Sequence, residues 1–143
     1  MKITQLSVFV ENKPGRLQHI LKVLAGAAIN IQTLTIAEVS DFGILRLIVD
    51  RPDEAHAALR ADHITCSKTE VLAVVLDDSP GALYRLMEAF SKRELNIEYM
   101  YAYANPAQSS SIMIFRFENL DKAQTALLEE GIQLVPRADI HSK

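Results

Sequence analysis

The chain has 143 residues, of which 49% are apolar and 23% charged, with a net charge of -3 and one cysteine, Cys66. That is enough apolar side chain for a packed core and too little charge for a disordered chain, while one thiol makes neither an internal disulfide nor a structural zinc site. The acidic balance argues against a phosphate-backbone binder, and the apolar runs fall far short of the roughly 20 residues of a membrane helix. Residues Met1 to Gln5 lack the charged-then-apolar pattern of a signal peptide, so a soluble cytoplasmic protein is expected.

Leu6 to Val10 is short and β-branched, which predicts a first strand. Pro14 is expected in the first turn of the helix that follows, where its missing N–H has no intrahelical partner. Leu17, Ile20, Leu21, Leu24 and Ala28 recur at helical spacing and form one apolar face. Ile29 to Val39 reads as a second strand, Asp41-Phe42-Gly43 as a turn and Ile44 to Val49 as a third strand. Asp53 to Arg60 reads as a short helix packing through Ala55, Ala58 and Leu59, with a last strand starting near Ile64.

The pattern then repeats. Glu11-Asn12-Lys13-Pro14-Gly15-Arg16-Leu17 recurs 66 residues on as Asp77-Asp78-Ser79-Pro80-Gly81-Ala82-Leu83, and Asn30-Ile31 recurs as Asn96-Ile97. Further along, Asp53, Ala55, Ala58 and Leu59 match Asp121, Ala123, Ala126 and Leu127 at an offset of 68. The two extra residues are expected in a hairpin loop at 104–109. The chain therefore divides into residues 1–69 and 70–143.

Each half has the order β-α-β-β-α-β, a ferredoxin-like α+β arrangement with an antiparallel sheet and both helices on one face. Ile44, Ile48, Ile112 and Ile114 lie on the opposite face, so that face is expected to be covered by the second copy or by another chain. A homodimer is expected on that ground.

An acidic residue, two variable positions, Pro-Gly, one variable position and Leu, followed at a fixed distance by Asn-Ile, resembles the ACT domain, and the two copies cover residues 3–137. The resemblance implies two tandem ACT-type domains of the stand-alone kind, acting as a regulator that binds a free amino acid and catalyses nothing itself. It implies ligand contacts at Glu11, Asn12, Lys13, Pro14, Gly15, Arg16, Leu17, Asn30 and Ile31, and at Asp77, Asp78, Ser79, Pro80, Gly81, Ala82, Leu83, Asn96 and Ile97. In such proteins the pocket commonly lies between two domains. The physical rationale is that the first turn of a helix presents unpartnered N–H groups and a partial positive charge suited to a carboxylate. The glycines would allow close backbone approach, and Asn12, Asp78 or carbonyls near Asn30 and Asn96 would accept from the ammonium. Copy two has Ala82 where copy one has Arg16, so the two sites are expected to differ.

The second reading is a regulatory subunit of an amino-acid biosynthetic enzyme, for instance of the acetolactate-synthase type, with that enzyme as partner. An RNA-recognition role is disfavoured, because the third strands carry Leu45-Arg46-Leu47 and Phe115-Arg116-Phe117 in an acidic chain. No metal or cofactor is expected, since the histidines have no ligand partners at metal spacing. His19 reads as a solvated surface residue and His141 as part of a frayed tail. Tyr99, Tyr101 and Tyr103 alternate, so they share a sheet face.

Overall fold

The computed structural model describes residues 2–39, 41–104 and 110–141. It contains β1 (Ile3–Glu11), α1 (Arg16–Gly26), β2 (Ile31–Val39), β3 (Phe42–Val49), α2 (Pro52–Ala61), β4 (Cys66–Asp77), α3 (Ala82–Lys92), β5 (Ile97–Ala104), β6 (Ser110–Phe117), α4 (Leu120–Glu129) and α5 (Arg137–Ile140). The expected loop at 104–109 falls mostly outside the described residues.

The chain packs as two compact units. The first comprises Thr4–Thr69 with residues 138–141, and the second comprises Glu70–Arg137 with residues 2–3. In the first, the strand order is β2-β3-β1-β4, and both ladders that join β3 to its neighbours are antiparallel. In the second, the order is β4-β6-β5, again antiparallel.

Two features depart from the expected pair of separate four-stranded repeats. The last strand of copy one and the first of copy two are one continuous strand, β4, which changes unit after Thr69. The stretch from Ile132 is reduced to a bridge between Leu134 and Val74, with Val75 N–H donating to Gln133 O and Val135 N–H donating to Ala73 O.

Alternation along the strands decides each core. Leu6, Val8 and Val10 of β1 and Leu45, Leu47 and Val49 of β3 point one way and meet Ile20 and Leu24 of α1 and Ala55 and Leu59 of α2. Leu72, Val74, Met113, Phe115 and Phe117 do the same beneath Leu86, Phe90, Ala123 and Leu127. Phe90 meets Phe115 and Phe117 edge-on, with ring centroids 5.1 and 5.2 Å away, the arrangement the ring quadrupoles favour. Each fully buried side chain of this size contributes about 1.5–3 kcal/mol. On the opposite sheet face Ile48, Ile112 and Ile114 are buried and Ile44 is half-buried.

Helices α1 to α4 end in the same way. Ile29, Ile64, Leu95 and Ile132 each donate their N–H back to the carbonyl five residues earlier, at Leu24, Leu59, Phe90 and Leu127. The residue just before each of them, Ala28, His63, Glu94 or Gly131, has a positive φ of 57°, 60°, 54° or 71°. This is the Schellman closure, with an apolar residue sealing it. It corrects the placement of Ala28 on the helix face: the helix stops at Gly26, and Ala28 is the exposed left-handed residue beyond it.

The tail is not frayed. His141 is buried; Thr4 N–H donates to its Nε2 (3.0 Å) and its Nδ1 lies 2.8 Å from Val49 O. Since Nε2 accepts, Nδ1 carries the proton, and the neutral ring bridges β1 and β3 just past the end of their ladder. Gln32 Nε2 donates to Ile140 O beside it.

Candidate functional site

The loop between β1 and α1 is a tight turn, not the first turn of a helix as expected from Pro14. Arg16 N–H donates to Lys13 O (3.3 Å), with Pro14 second in the turn and Gly15 third at φ 86°, ψ -12°. That is type II geometry, which demands a positive φ at its third position. The second copy repeats it, with Ala82 N–H donating to Ser79 O (3.2 Å) and Gly81 at φ 85°, ψ -3°. Backbone conformation therefore accounts for both glycines. A Cβ at Gly15 would meet nothing within 4 Å, whereas one at Gly81 would meet Arg85 Nη1 at 2.9 Å.

Glycine as the residue before the helix offers no side-chain cap. Neither α1 nor α3 has a side-chain cap or an acidic residue in its first turn. By contrast α2 carries Asp53 and Glu54 there, and α4 has Asp121 and the cap Asn119, whose Oδ1 accepts from Lys122 N–H. The first turns of α1 and α3 thus carry no acidic residue of their own to offset the helix dipole.

In the first unit this end opens onto a pocket of about 370 Å3. Its polar lining is Glu11, Arg16, His19, Asp62, His63 and Thr65, and its apolar lining is Phe9, Val10, Ile20, Phe42 and Ile64. Arg16 Nε lies 3.8 Å from Glu11 Oε1, a loose ion pair, and Lys13 Nζ lies 3.3 Å from Glu11 Oε2. His19 is not merely solvated: its Nε2 lies 2.5 Å from Asp62 Oδ2. Phe9 pairs with Ile44 and Glu11 with Phe42 across the ladder, so the two phenylalanines are diagonal neighbours on one face. Phe9 is 57% and Phe42 52% exposed, and both lie on the sheet face away from α1 and α2, since Val8, Val10 and Leu45 face those helices.

The other residues expected at the site fall into three places. Asn12, Lys13, Pro14 and Gly15 form the exposed turn itself, and Leu17 packs half-buried against the core below it. Asn30 and Ile31 lie at the opposite end of the same unit, because Ile31 pairs with Val49 whereas the turn end of the sheet is marked by Val39 and Glu11 pairing with Phe42. The 11-residue helix α1 separates the two ends by roughly 16 Å. There Asn30 N–H donates to Asp50 Oδ1 and Asp50 N–H donates to Asn30 O. Asn96 likewise bonds Glu118, through its Nδ2 and through its backbone carbonyl, and lines a separate cavity of about 560 Å3 with Glu94, Phe117 and Lys122. Within one unit the turn and the Asn-Ile pair do not converge on one ligand.

In the second unit Asp77, Asp78, Ser79 and Pro80 are exposed and Ala82 is buried where Arg16 stands in the first. Leu83 is partly exposed, and Ile97 packs half-buried against the second core.

Phe9, Phe42, Asp62, His63 and Thr65 were not anticipated. They reach the pocket from the end of β1, the start of β3 and the segment after α2. One sequence signal pointed there: an acidic residue ends the second helix of both copies, Asp62 and Glu130. Elsewhere, burial pushes the Cys66 thiol and the Tyr103 phenol above their ordinary pKa values. Among the described residues no three His, Cys, Asp or Glu side chains cluster as a metal site would, and no helix is long and apolar enough to cross a membrane.

The sequence matches the ACT domain pair family over residues 1–142. The chain belongs to that family. This ACT pair is similar to protein BT0572 from Bacteroides thetaiotaomicron, at 39% identity over 100% of this chain and 98% of that one, with a TM-score of 0.93. It shares its fold with the ligand-free regulatory subunit of aspartate kinase from Thermus thermophilus, at 17% identity over 90% of each chain and a TM-score of 0.64. The corresponding subunit from Thermus flavus is 16% identical over 88% of this chain and 90% of that one, with a TM-score of 0.59. No curated protein matches the chain. An ACT domain pair is a regulatory module that binds small molecules.

Proposed function

We propose that this ACT pair is a regulator that binds a free amino acid at the β1–α1 end of its first unit and catalyses nothing itself. The observation that carries this reading is the loose Glu11–Arg16 pair facing a pocket at an uncapped helix end. A zwitterion has one carboxylate and one ammonium group. Inserted between these two side chains, it would give its carboxylate to Arg16 and the α1 terminus and its ammonium to Glu11. A pocket of about 370 Å3 falls within the usual range for small-molecule sites.

The setting we propose is cytoplasmic, with the chain as a homodimer passing the signal to a metabolic enzyme. The second reading, a regulatory subunit of an amino-acid biosynthetic enzyme such as an acetolactate-synthase-type enzyme, is favoured by the fold shared with regulatory subunits of aspartate kinase. Under that reading an enzyme copurifies with the chain and responds to the same ligand.

The test is a thermal-shift screen against the twenty amino acids, repeated with Arg16→Ala. A ligand that binds only the folded chain adds about 2.7 kcal/mol at 100 times its Kd. Stabilisation by one or a few amino acids that disappears in Arg16→Ala supports the site. Stabilisation that survives the substitution would place the ligand elsewhere, and no stabilisation by any amino acid would end the proposal.

A further inference from the structure

We infer that two copies of this chain join edge to edge through β2 of their first units, in one antiparallel register centred on Thr35. The inference rests on the homodimer proposed above and assigns its surface.

β2 is an outer strand. Among the described residues it pairs with β3 and with no other strand, so one side of its backbone faces no ladder. Such an edge templates pairing with another strand, and proteins blunt it with proline, lysine, bulges or short length. β2 spans nine residues, Ile31–Val39, with no proline and no basic residue, and its one irregularity lies at its start, between Ile31 and Thr33.

The side chains add an apolar surface to that edge. Leu34 pairs with Leu47 and Ile36 with Leu45, so both stand on the side of the sheet that carries the helices. Even there they are 44% and 48% exposed, since an outer strand has a neighbour on one side only.

The partner follows from the order of the residues. Thr33-Leu34-Thr35-Ile36-Ala37 has the same pattern of small and large side chains in either direction. Set antiparallel against itself about Thr35, it places Leu34 opposite Ile36 of the second copy, Thr35 opposite Thr35 and Thr33 opposite Ala37. Apolar pairs and Thr–Thr pairs are both favourable across antiparallel strands. A slip by one residue turns the apolar pair to the wrong face, and a slip by two sets Leu34 against Glu38 or Ile36 against Gln32. A patch that complements itself in this way is what a closed two-fold dimer requires.

The second unit is an internal control. Its outer strand β5 has Met100 and Ala102 at the equivalent positions, paired with Phe115 and Met113 as Leu34 and Ile36 are with Leu47 and Leu45. Met100 packs half-buried against the second core, and Ala102 offers only a methyl group. The pairing therefore belongs to the first unit.

The test is sedimentation of the full chain at roughly 0.1 mM. The wild type is expected as a dimer, Leu34→Lys and Ile36→Lys as monomers, and Ala102→Lys as a dimer still. Circular dichroism checks that each variant folds. In a chain carrying Cys66→Ala, mild oxidation should cross-link Thr35→Cys into a covalent dimer and leave Thr33→Cys uncoupled, because the register separates the two copies of position 33 by roughly 13 Å. A dimer that survives both lysine substitutions, dissolves with Ala102→Lys, or fails to cross-link through position 35 would overturn the inference and leave a homodimer by another surface. A wild-type monomer would remove the homodimer as well. Should the lysine variants not fold, the cross-linking decides.

Discussion

His19 Nε2 lies 2.5 Å from Asp62 Oδ2, tying helix α1 to the segment that follows helix α2 at the mouth of the first-unit pocket. Both side chains are about half exposed, so solvent screens the pair. His19→Ala is therefore expected to change the unfolding free energy by less than about 1 kcal/mol in urea titration. The same substitution should weaken ligand binding, because it releases one wall of the pocket. A stability loss of several kcal/mol would show that the pair belongs to the core instead.

The two Pro-Gly turns should respond alike to loss of glycine. Gly15 and Gly81 have φ of 86° and 85°, which an L side chain adopts at a cost of about 1–2 kcal/mol. Gly15→Ala and Gly81→Ala should each destabilise by that amount, with Gly15→Asn costing less because Asn tolerates the left-handed region. The crowding of Arg85 against Gly81 should add little, since a flexible side chain can move aside. Denaturant midpoints decide this, and a harmless Gly15→Ala would contradict the turn geometry.

Helix ends offer the opposite sign. Ala28 and Glu94 occupy the left-handed position that Gly131 fills in α4. Ala28→Gly and Glu94→Gly are each expected to stabilise by roughly 0.5–1 kcal/mol, since relief of strain exceeds the added freedom of the unfolded chain. A rise in melting temperature for each single variant, and a further rise for the double variant, is the outcome to look for. A fall would mean that the positive φ carries no strain.

Alkaline pH should weaken the fold. Burial raises the pKa of both the Cys66 thiol and the Tyr103 phenol, so the folded chain keeps protons that the unfolded chain releases sooner. Their contribution is fully present below the ordinary thiol value of about 8.5 and is lost as pH rises through the raised folded values. Melting temperature should be flat near neutral pH and decline above it, and Cys66→Ala should remove the earlier part of the decline. Stability that rises with pH in this window would refute the assignment.

Much of this was legible in the residues. The repeated acid–Pro-Gly–Leu register announced two copies of one unit, and alternation in β1 and β3 identified the core face. What escaped depends on contacts distant in sequence. Asp62 and Phe42 reach the pocket only because β3 and the segment after α2 return to the end of β1, and apart from the acidic residue repeated at Asp62 and Glu130 no pattern in the residues says so. Ala28 fits the apolar spacing of α1, yet the Schellman closure had already turned the chain; an alanine gives no warning of a left-handed backbone where glycine would. Asn30 and Asn96 lie near the motif in sequence but a helix length from it in space.

The exchange of ends between the units has a consequence for where the chain can be divided. The first unit draws its bridging imidazole, His141, from the far end of the sequence. The second has Lys2 as an ion-pair partner 2.5 Å from Asp121, and Arg137 donates to the Lys2 carbonyl. A break between Thr69 and Glu70 would leave each fragment missing something the other holds. Cut there, neither half of the repeat carries every residue of its own compact unit.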